Sequence, residues 1–385
     1  MLLPRMLTAQ IAAALAGVLS IVAATLIGPA FAGGVELRGA GSTFVAPLMN
    51  GWINFFENSQ PDVGIHYDAV GSGEGVSRLL SGSVDFAASD NFLPPADAKK
   101  IDGGVVQVPS TAGMIVLAYN LPGVKGRLKL PQDVYVDIFL GKIQTWNDPR
   151  IRAANKDLNL PAINIAVVAR QDSSGTTYAF TEHLAAVNNS WSKGPGVGKL
   201  VQWPNVTMLA RGNEGIASKI KISQGAIGYI EYGFALRLGL QMAVLENKAG
   251  QFVPPTPLSG AAALNPTMDV GLDALDSSTA NPPGMKAYPI VTYSWFLLYP
   301  SYQPEKARAL MSFLNFAYDE GQSYAPYFGY LQLPDPVMQQ ARAALTRFRA
   351  NSAAVPEKAS VLDKVTATTN GQDTEAPAAA PAGAK

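Results

Sequence analysis

The stretch INIAVVARQDSSGTTYAFTEHL, Ile163–Leu184, sets the reading of the whole chain. Ile163–Val168 is a short apolar run with β-branched residues, as a buried strand is. ARQDSSGTT, Ala169–Thr177, follows as a loop of hydroxyls, one glycine and one arginine, and the apolar spacing through Phe180 and Leu184 then predicts a helix. Strand, polar loop and helix in that order are the unit of an α/β layer. The N–H groups left free where such a helix starts, with its dipole behind them, favour an anion.

The same unit recurs outward from this stretch. Val63–Val70 is strand-like and runs into GSGEG, Gly71–Gly75, followed by helical spacing at Val76, Leu79 and Leu80. GAGSTF, Gly39–Phe44, precedes helical spacing at Val45, Leu48, Met49, Trp52, Ile53 and Phe56. A further polar loop, Ala88–Asp90, follows Val84-Asp85-Phe86. Ile115–Tyr119 and Ile290–Tyr299 read as strands, and Ala307, Leu310, Met311, Leu314 and Tyr318 as another helix. The alternation predicts an α/β protein with largely parallel sheets. A lone loop of this kind serves as a helix cap; several in one chain, one carrying Arg170, point to an anion site built from glycine backbone and hydroxyl donors. The stretch 250–285, rich in Pro and Gly, has weak periodicity and is expected to be a surface excursion.

Composition bounds the rest. A chain of 385 residues suggests two to three domain-sized units, and 48% hydrophobic content can bury a sizeable core. Lys+Arg and Asp+Glu are both 29, which argues against nucleic-acid binding. With no Cys and 2 His, a disulfide scaffold, a thiolate nucleophile and an imidazole metal cluster are all disfavoured. Residues 1–32 carry a single charge, Arg5, an apolar run Ile11–Ile27 and the A-x-A site Ala30-Phe31-Ala32, the pattern of a cleaved secretory signal. A membrane anchor is the competing reading, and the small-residue site favours cleavage. Residues 351–385 lack aromatic residues and end in an Ala/Pro run, so a disordered tail is expected.

Competing motifs fail in detail. Val76 and Phe44 stand where G-x-G-x-x-G needs its last glycine. GPGVGKL, Gly194–Leu200, is one residue short of a P-loop and has Leu200 where Ser or Thr is required, so it reads as a surface loop. No G-x-S-x-G elbow is present. His66 falls in a strand pattern and His183 two turns into a helix, both better read as structural than as catalytic bases.

Several blocks together resemble the periplasmic phosphate-binding protein of bacterial phosphate ABC transporters. They are GAGSTFVAPL, VGSGEG, VDFAASD, YVDIFLGKIQTWNDP, LNLPAINIAVVARQDSSGTTYAFTEHL and GNEGIASKIKISQGAIGYIEYG, in order over about residues 36–350. The resemblance implies a type II periplasmic-binding-protein fold. In it two lobes, each a mixed, mostly parallel sheet flanked by helices, are joined by hinge crossovers. Lobe one is expected over 33–108 plus 290–350 and lobe two over 109–289, with crossings near Pro109 and Pro289. The family implies no cofactor, no metal and no catalytic residue. Its partners would be inorganic phosphate and a membrane permease, and the protein is expected to be a periplasmic monomer. The same resemblance assigns phosphate ligands to Thr43, Phe44 (with its backbone N–H), Ser72, Asp90, Arg170, Ser174, Gly175 and Thr176, with Asp172 orienting Arg170. Ala169 departs from the second Arg of many members, and Gly73-Glu74 from a Ser-Gly-like pair.

Physical chemistry supports that assignment. A buried phosphate dianion needs every oxygen satisfied. Helix-start N–H groups, hydroxyls and one guanidinium can do so. A carboxylate such as Asp90 belongs there if the ligand brings a proton to donate, as phosphate does and sulfate does not. Glu74 is expected to turn outward in the first turn of a helix capped by Ser72; the rival reading has its carboxylate facing the ligand. Two alternative functions remain: a receptor for another tetrahedral oxyanion, and a secreted phosphoester hydrolase on the same scaffold.

Overall fold

The computed structural model describes residues 34–205, 208–264, 271–275 and 279–351. The expected signal at 1–32 and the tail beyond Asn351 lie outside these residues. The main sheet has nine strands among the described residues, numbered in chain order. They are β1 (Val35–Gly41), β2 (Val63–Ala69), β3 (Phe86–Ser89), β4 (Val106–Tyr119), β5 (Ala166–Arg170), β6 (Met208–Ala210), β7 (Ala226–Glu231), β8 (Gln241–Met242) and β9 (Val291–Leu298). Their order is β2-β1-β3-β9-β4-β7-β5-β6, with β8 also on β4. Pairing is parallel at the two ends, β1 with β2 and β3, and β5 with β6 and β7. It is antiparallel in the middle, where β9 and β4 join the two groups.

Strand β4 is the element shared by both halves. Val106–Met114 pairs with β9, and Ile115–Tyr119 pairs with β7. Every residue from Val108 to Tyr119 is buried, so its polar side chains need partners inside. Ser110 Oγ donates to the Ser294 carbonyl (2.9 Å) and Thr111 Oγ1 to the Leu331 carbonyl (3.0 Å). Because Pro109 lies opposite Trp295 and Thr111 opposite Ser294, Ser110 is left over as a bulge. The carbonyls of Pro109 and Ser110 accept from Tyr318 Oη (2.6 Å) and Gln322 Nε2 (2.9 Å). The sequence reading found only Ile115–Tyr119, since Pro, Ser, Thr and Gly in the first part of β4 conceal the strand.

Helices cover the sheet where the apolar spacing places them. Among them are α1 (Ala46–Ser59), α2 (Ser72–Leu80), α3 (Gln132–Phe139), α4 (Gly175–Val187), α5 (Gly212–Ile222), α6 (Tyr232–Arg237), α7 (Pro257–Leu264), α8 (Pro304–Phe316), α9 (Gln322–Phe328) and α10 (Asp335–Asn351). The buried face of α1 is Leu48, Met49, Trp52, Ile53 and Phe56, the spacing read from sequence. Trp52 Nε1 is tied to the Gly321 carbonyl at 2.7 Å. No helix among the described residues is long and apolar enough to cross a membrane.

The stretch 250–285 corrects an expectation. It is not wholly a surface excursion. Phe252–Val253 pairs with the strand Val244–Glu246, and α7 buries Ser259, Gly260, Ala263 and Leu264. A Cβ on Gly260 would lie 2.8 Å from Leu331 and 3.1 Å from Met114 Sδ. A helix that packs through small residues carries little hydrophobic periodicity, so the sequence signal is faint.

Helix α2 docks as closely against β1. A Cβ on Gly75 would lie 2.4 Å from Gly41 Cα and 2.7 Å from the Ala40 carbonyl, both backbone. Gly75→Ala should therefore destabilise the protein by roughly 1–3 kcal/mol. Gly64→Ala, whose Cβ meets nothing nearer than Glu36 Cγ at 3.9 Å, should stay within about 0.5 kcal/mol. Urea unfolding followed by circular dichroism measures both, and equal effects would contradict the tight docking.

Candidate functional site

The polar loops leave the sheet at the carboxyl ends of β1, β2, β3 and β5, where open α/β sheets gather their ligands. Ser42 N–H binds the Ala88 carbonyl (2.9 Å), and Gly71 N–H binds the Gly41 carbonyl (2.8 Å), which draws three loops together. The loop after β5 meets them from the other side. Gly73 N–H donates to the Ser173 carbonyl at 2.9 Å. A Cβ on Gly175 would stand 2.4 Å from Ser72 Oγ and 2.8 Å from Asp90 N, so only glycine lets the two sides meet.

Asp90 sits at the middle of this contact and is buried. Its Oδ1 accepts from Ser42 Oγ (2.5 Å) and Ser294 Oγ (3.0 Å), and Oδ2 accepts from Thr176 Oγ1 (3.2 Å). Its carbonyl accepts from Thr292 Oγ1 (3.0 Å), and its N–H donates to Ser72 Oγ (3.3 Å). Burial pushes the carboxyl up to about 6, against the pull of Ser42, Ser294, Arg170 and Thr176.

Arg170 closes β5 with its side chain 2% exposed. Nε donates to Asp172 Oδ1 at 2.7 Å, and Nη2 donates to Asp172 Oδ2, a bidentate pair. Asp172 Oδ1 also accepts from Gly212 N–H (3.0 Å). Burial raises the Asp172 carboxyl, but Arg170 and the Gly212 N–H hold it below the ordinary range. Arg170 Nη1 is buried and has no hydrogen-bond partner among the described residues. A guanidinium nitrogen in that state marks a place for an acceptor.

At the start of α4, Ser174 Oγ accepts from Thr177 N–H (3.0 Å) as N-cap. That arrangement leaves the N–H groups of Gly175 and Thr176 without an intrahelical acceptor. Thr43 Oγ1 accepts from the N–H (3.2 Å) and Nδ2 (3.1 Å) of Asn213. Phe44 differs from its assignment as a donor: its N–H is taken by Ser42 Oγ at 2.9 Å. Its ring is buried edge-on to Tyr330, 5.9 Å between centroids. Ser72 does not cap α2; Gly71 holds that position, and Ser72 is the first helical residue. Glu74 turns outward, its Oε1 accepting from Arg78 Nε at 2.9 Å.

Four residues of this network were not singled out in the sequence. Ser42 stands inside GAGSTF, and Asn213 and Glu231 inside the block GNEGIASKIKISQGAIGYIEYG. Ser294 had no signal, since it reaches Asp90 across 204 residues. Glu231 is fully buried; it caps α6 by accepting from Gly233 N–H (2.5 Å) and Phe234 N–H (3.1 Å), and burial pushes it up to about 8. His183 is a buried structural histidine beside Tyr135 Oη (2.7 Å), which burial holds neutral by lowering it to about 3. Among the described residues no group of three His, Cys, Asp or Glu is arranged to hold a metal ion. A surface cavity of about 860 Å³ opens at the other end of β1, between Glu36, Arg38, Asp85 and Lys306. There Lys306 Nζ pairs with Asp85 Oδ1 (2.5 Å).

A family model described as a PBP superfamily domain matches residues 24–320. The chain is 37% identical over 313 residues to the phosphate-binding protein PstS of Pasteurella multocida, covering 80% of this chain and 89% of that protein. It is 36% identical over 310 residues to PstS of Haemophilus influenzae, covering 80% and 92%. Among solved structures it matches a high-affinity periplasmic phosphate-binding protein (PfluDING) solved with bound phosphate. The TM-score is 0.67 at 21% identity, over 80% of this chain and 93% of that one, and the likeness establishes the two-lobed α/β fold.

The raised carboxyls make stability depend on pH. In the unfolded chain Asp90 and Glu231 lose their protons near pH 4; folded, they keep them to about 6 and about 8. The folded state therefore binds more protons between these values. The contribution of Asp90 and Glu231 to stability is full below about pH 4 and falls as pH rises toward 8. The carboxyls held low, Asp68, Asp148 and Asp172, act below that window, where stability is lost as pH falls. Asp90→Asn should make the decline between about pH 4 and 6 roughly half as steep, because Glu231 still contributes there, and leave the part between about 6 and 8. Urea midpoints of the unliganded protein across pH 4–8 measure it; an unchanged profile in the variant would contradict the Asp90 assignment.

Proposed function

The chain belongs to the PstS family of phosphate-binding proteins within the PBP superfamily, and on that premise we propose that it captures inorganic phosphate between two lobes and hands it to an ABC permease. The lobes in this reading are 33–108 plus 290–350 and 109–289, and the protein works in the periplasm without a catalytic step or cofactor. The exchange of partners along β4, from β9 to β7, supports a crossover between lobes on that strand.

One observation carries the reading: the buried guanidinium of Arg170, fixed by Asp172 with Nη1 unpaired, stands among hydroxyl donors and beside a buried carboxyl. Phosphate oxygens accept from Arg170, from the hydroxyls of Thr43, Ser72, Ser174 and Thr176, and from the N–H groups of Phe44, Gly175 and Thr176. For Phe44 this requires its N–H to leave Ser42 Oγ, and for Thr176 its hydroxyl to leave Asp90 Oδ2, the partners that now hold them. Asp90 accepts the proton that monohydrogen phosphate carries. A ligand without a proton sets two acceptors face to face, so sulfate is rejected. Ligand contacts from both lobes favour the closed arrangement over any open one.

Isothermal titration tests the reading. Phosphate should bind one-to-one with a Kd at or below about 1 μM. Arsenate should compete, while sulfate at about 1,000-fold excess should not, a gap of about 4 kcal/mol. Equal competition by sulfate removes the role given to Asp90.

Arg170→Ala should abolish measurable binding with the circular dichroism unchanged, since loss of a buried charge partner costs about 3–5 kcal/mol. Arg170→Lys should also fail, because an ammonium cannot reproduce the planar fork. Near-wild-type affinity in the folded Ala variant would mean that the site lies elsewhere.

A further inference from the structure

We propose that Asn213, at the start of α5 and outside the four loops, is a positioning residue that makes the Thr43 hydroxyl a dedicated donor for the bound anion. The inference rests on the phosphate reading above and extends the site by one residue that never has to touch the ligand.

The orientation of the Asn213 amide is fixed by a group that can only donate. Glu231 N–H gives its hydrogen to Asn213 Oδ1 at 3.0 Å. Asn213 is fully buried, so its amide cannot turn to water instead. Nδ2 must then face the other way, and there it meets Thr43 Oγ1 at 3.1 Å. The backbone N–H of Asn213 reaches the same oxygen at 3.2 Å. A hydroxyl oxygen has two acceptor positions and one proton. Both acceptor positions of Thr43 are filled by N–H donors. What remains is the proton, and among the described residues no protein acceptor takes it. An unconstrained threonine hydroxyl can rotate to present either a lone pair or a proton, and a lone pair facing an anion repels it. Asn213 removes the repulsive choice before the ligand arrives, which lowers the ordering required on binding.

The same amide acts on the opposite side of the contact. Nδ2 also approaches Thr176 Oγ1 at 3.4 Å, and Thr176 in turn donates to Asp90 Oδ2 at 3.2 Å. Thr43 follows β1 and Thr176 follows β5, so one side chain sets the direction of hydroxyls from both groups of parallel strands. Conversely, the hydrogen bonds from Asn213 to Thr43 exist only while the two sides are together, and they stabilise the arrangement in which the ligand is held.

A double-mutant cycle on phosphate affinity, by isothermal titration, separates this role from simple packing. Asn213→Ala should weaken phosphate binding about tenfold or more in the wild-type background and less than about threefold in a Thr43→Ala background, because its effect passes through the Thr43 hydroxyl. In a Thr43→Ser background, which keeps a hydroxyl, the tenfold loss should return. Effects that multiply across all three backgrounds, or an Asn213→Ala variant within twofold of wild type, overturn the proposal. Should Asn213→Ala fail to fold, Asn213→Asp takes its place in the cycle. Its Oδ1 still accepts from Glu231, while its other oxygen takes the Thr43 proton away from the anion, so its loss too should be larger with Thr43 present than in the Thr43→Ala background. A wild-type protein that binds no phosphate would instead sink the phosphate reading itself, and this inference with it.

Discussion

The structure depends on keeping one cation out of water. Burying the Arg170 guanidinium is tolerable only if its donors are answered, and each answering group must be held in turn. Asp172 takes two of the donors and is steadied by the Gly212 N–H. The Arg170 backbone N–H donates to Tyr229 Oη (3.1 Å), which shares a hydrogen bond with Thr177 Oγ1 (2.7 Å). The Tyr229 ring stacks on Phe180 and Trp203, with centroids 4.5 Å and 5.5 Å away. A chain of contacts thus runs from the Arg170 backbone into an aromatic cluster of the core. That rigidity lets a single unpaired nitrogen stay in place, because a side chain free to move would find another partner.

Asp90 is the complementary problem on the other side of the contact. Its carboxyl is held by hydroxyls, which can donate or accept, and its ionisation is balanced between burial and those partners. The bulge at Ser110 bears on this balance. It shifts the register of β9 between Ser294 and Trp295, the point from which Ser294 reaches Asp90 Oδ1. An irregularity in the middle of the sheet is thereby linked to the chemistry at its edge.

Strand-loop-helix units were legible because apolar runs and hydroxyl-rich loops alternate at the right spacing. The stretch 163–184 resolves into β5 and α4, and the periodicity from Val45 to Phe56 into α1. Ser72 was misread as a cap, since a serine before a helical pattern is the ordinary cap signal; the backbone takes Gly71 at φ 97° into that place instead. The helix α7 was missed for want of large apolar residues. Ser294 and Asn213 were beyond local reading for another reason. Their roles are set by which segments the fold brings together, and no spacing along the chain encodes a partner 204 or 170 residues away.

Strand β9 has a consequence for how the chain is made. It lies between β3 and β4, both encoded far upstream, and the hydrogen bond from Ser110 to Ser294 closes a loop of 184 residues. The entropy of closing so long a loop grows only logarithmically, but contacts this remote slow folding. Until residues 291–298 leave the ribosome, β3 and β4 present unpaired edges to whatever lies near them. Synthesis therefore runs ahead of assembly for most of the chain's length. A chain truncated before Val291 lacks the strand that covers both edges, and is therefore an aggregation hazard rather than a smaller receptor.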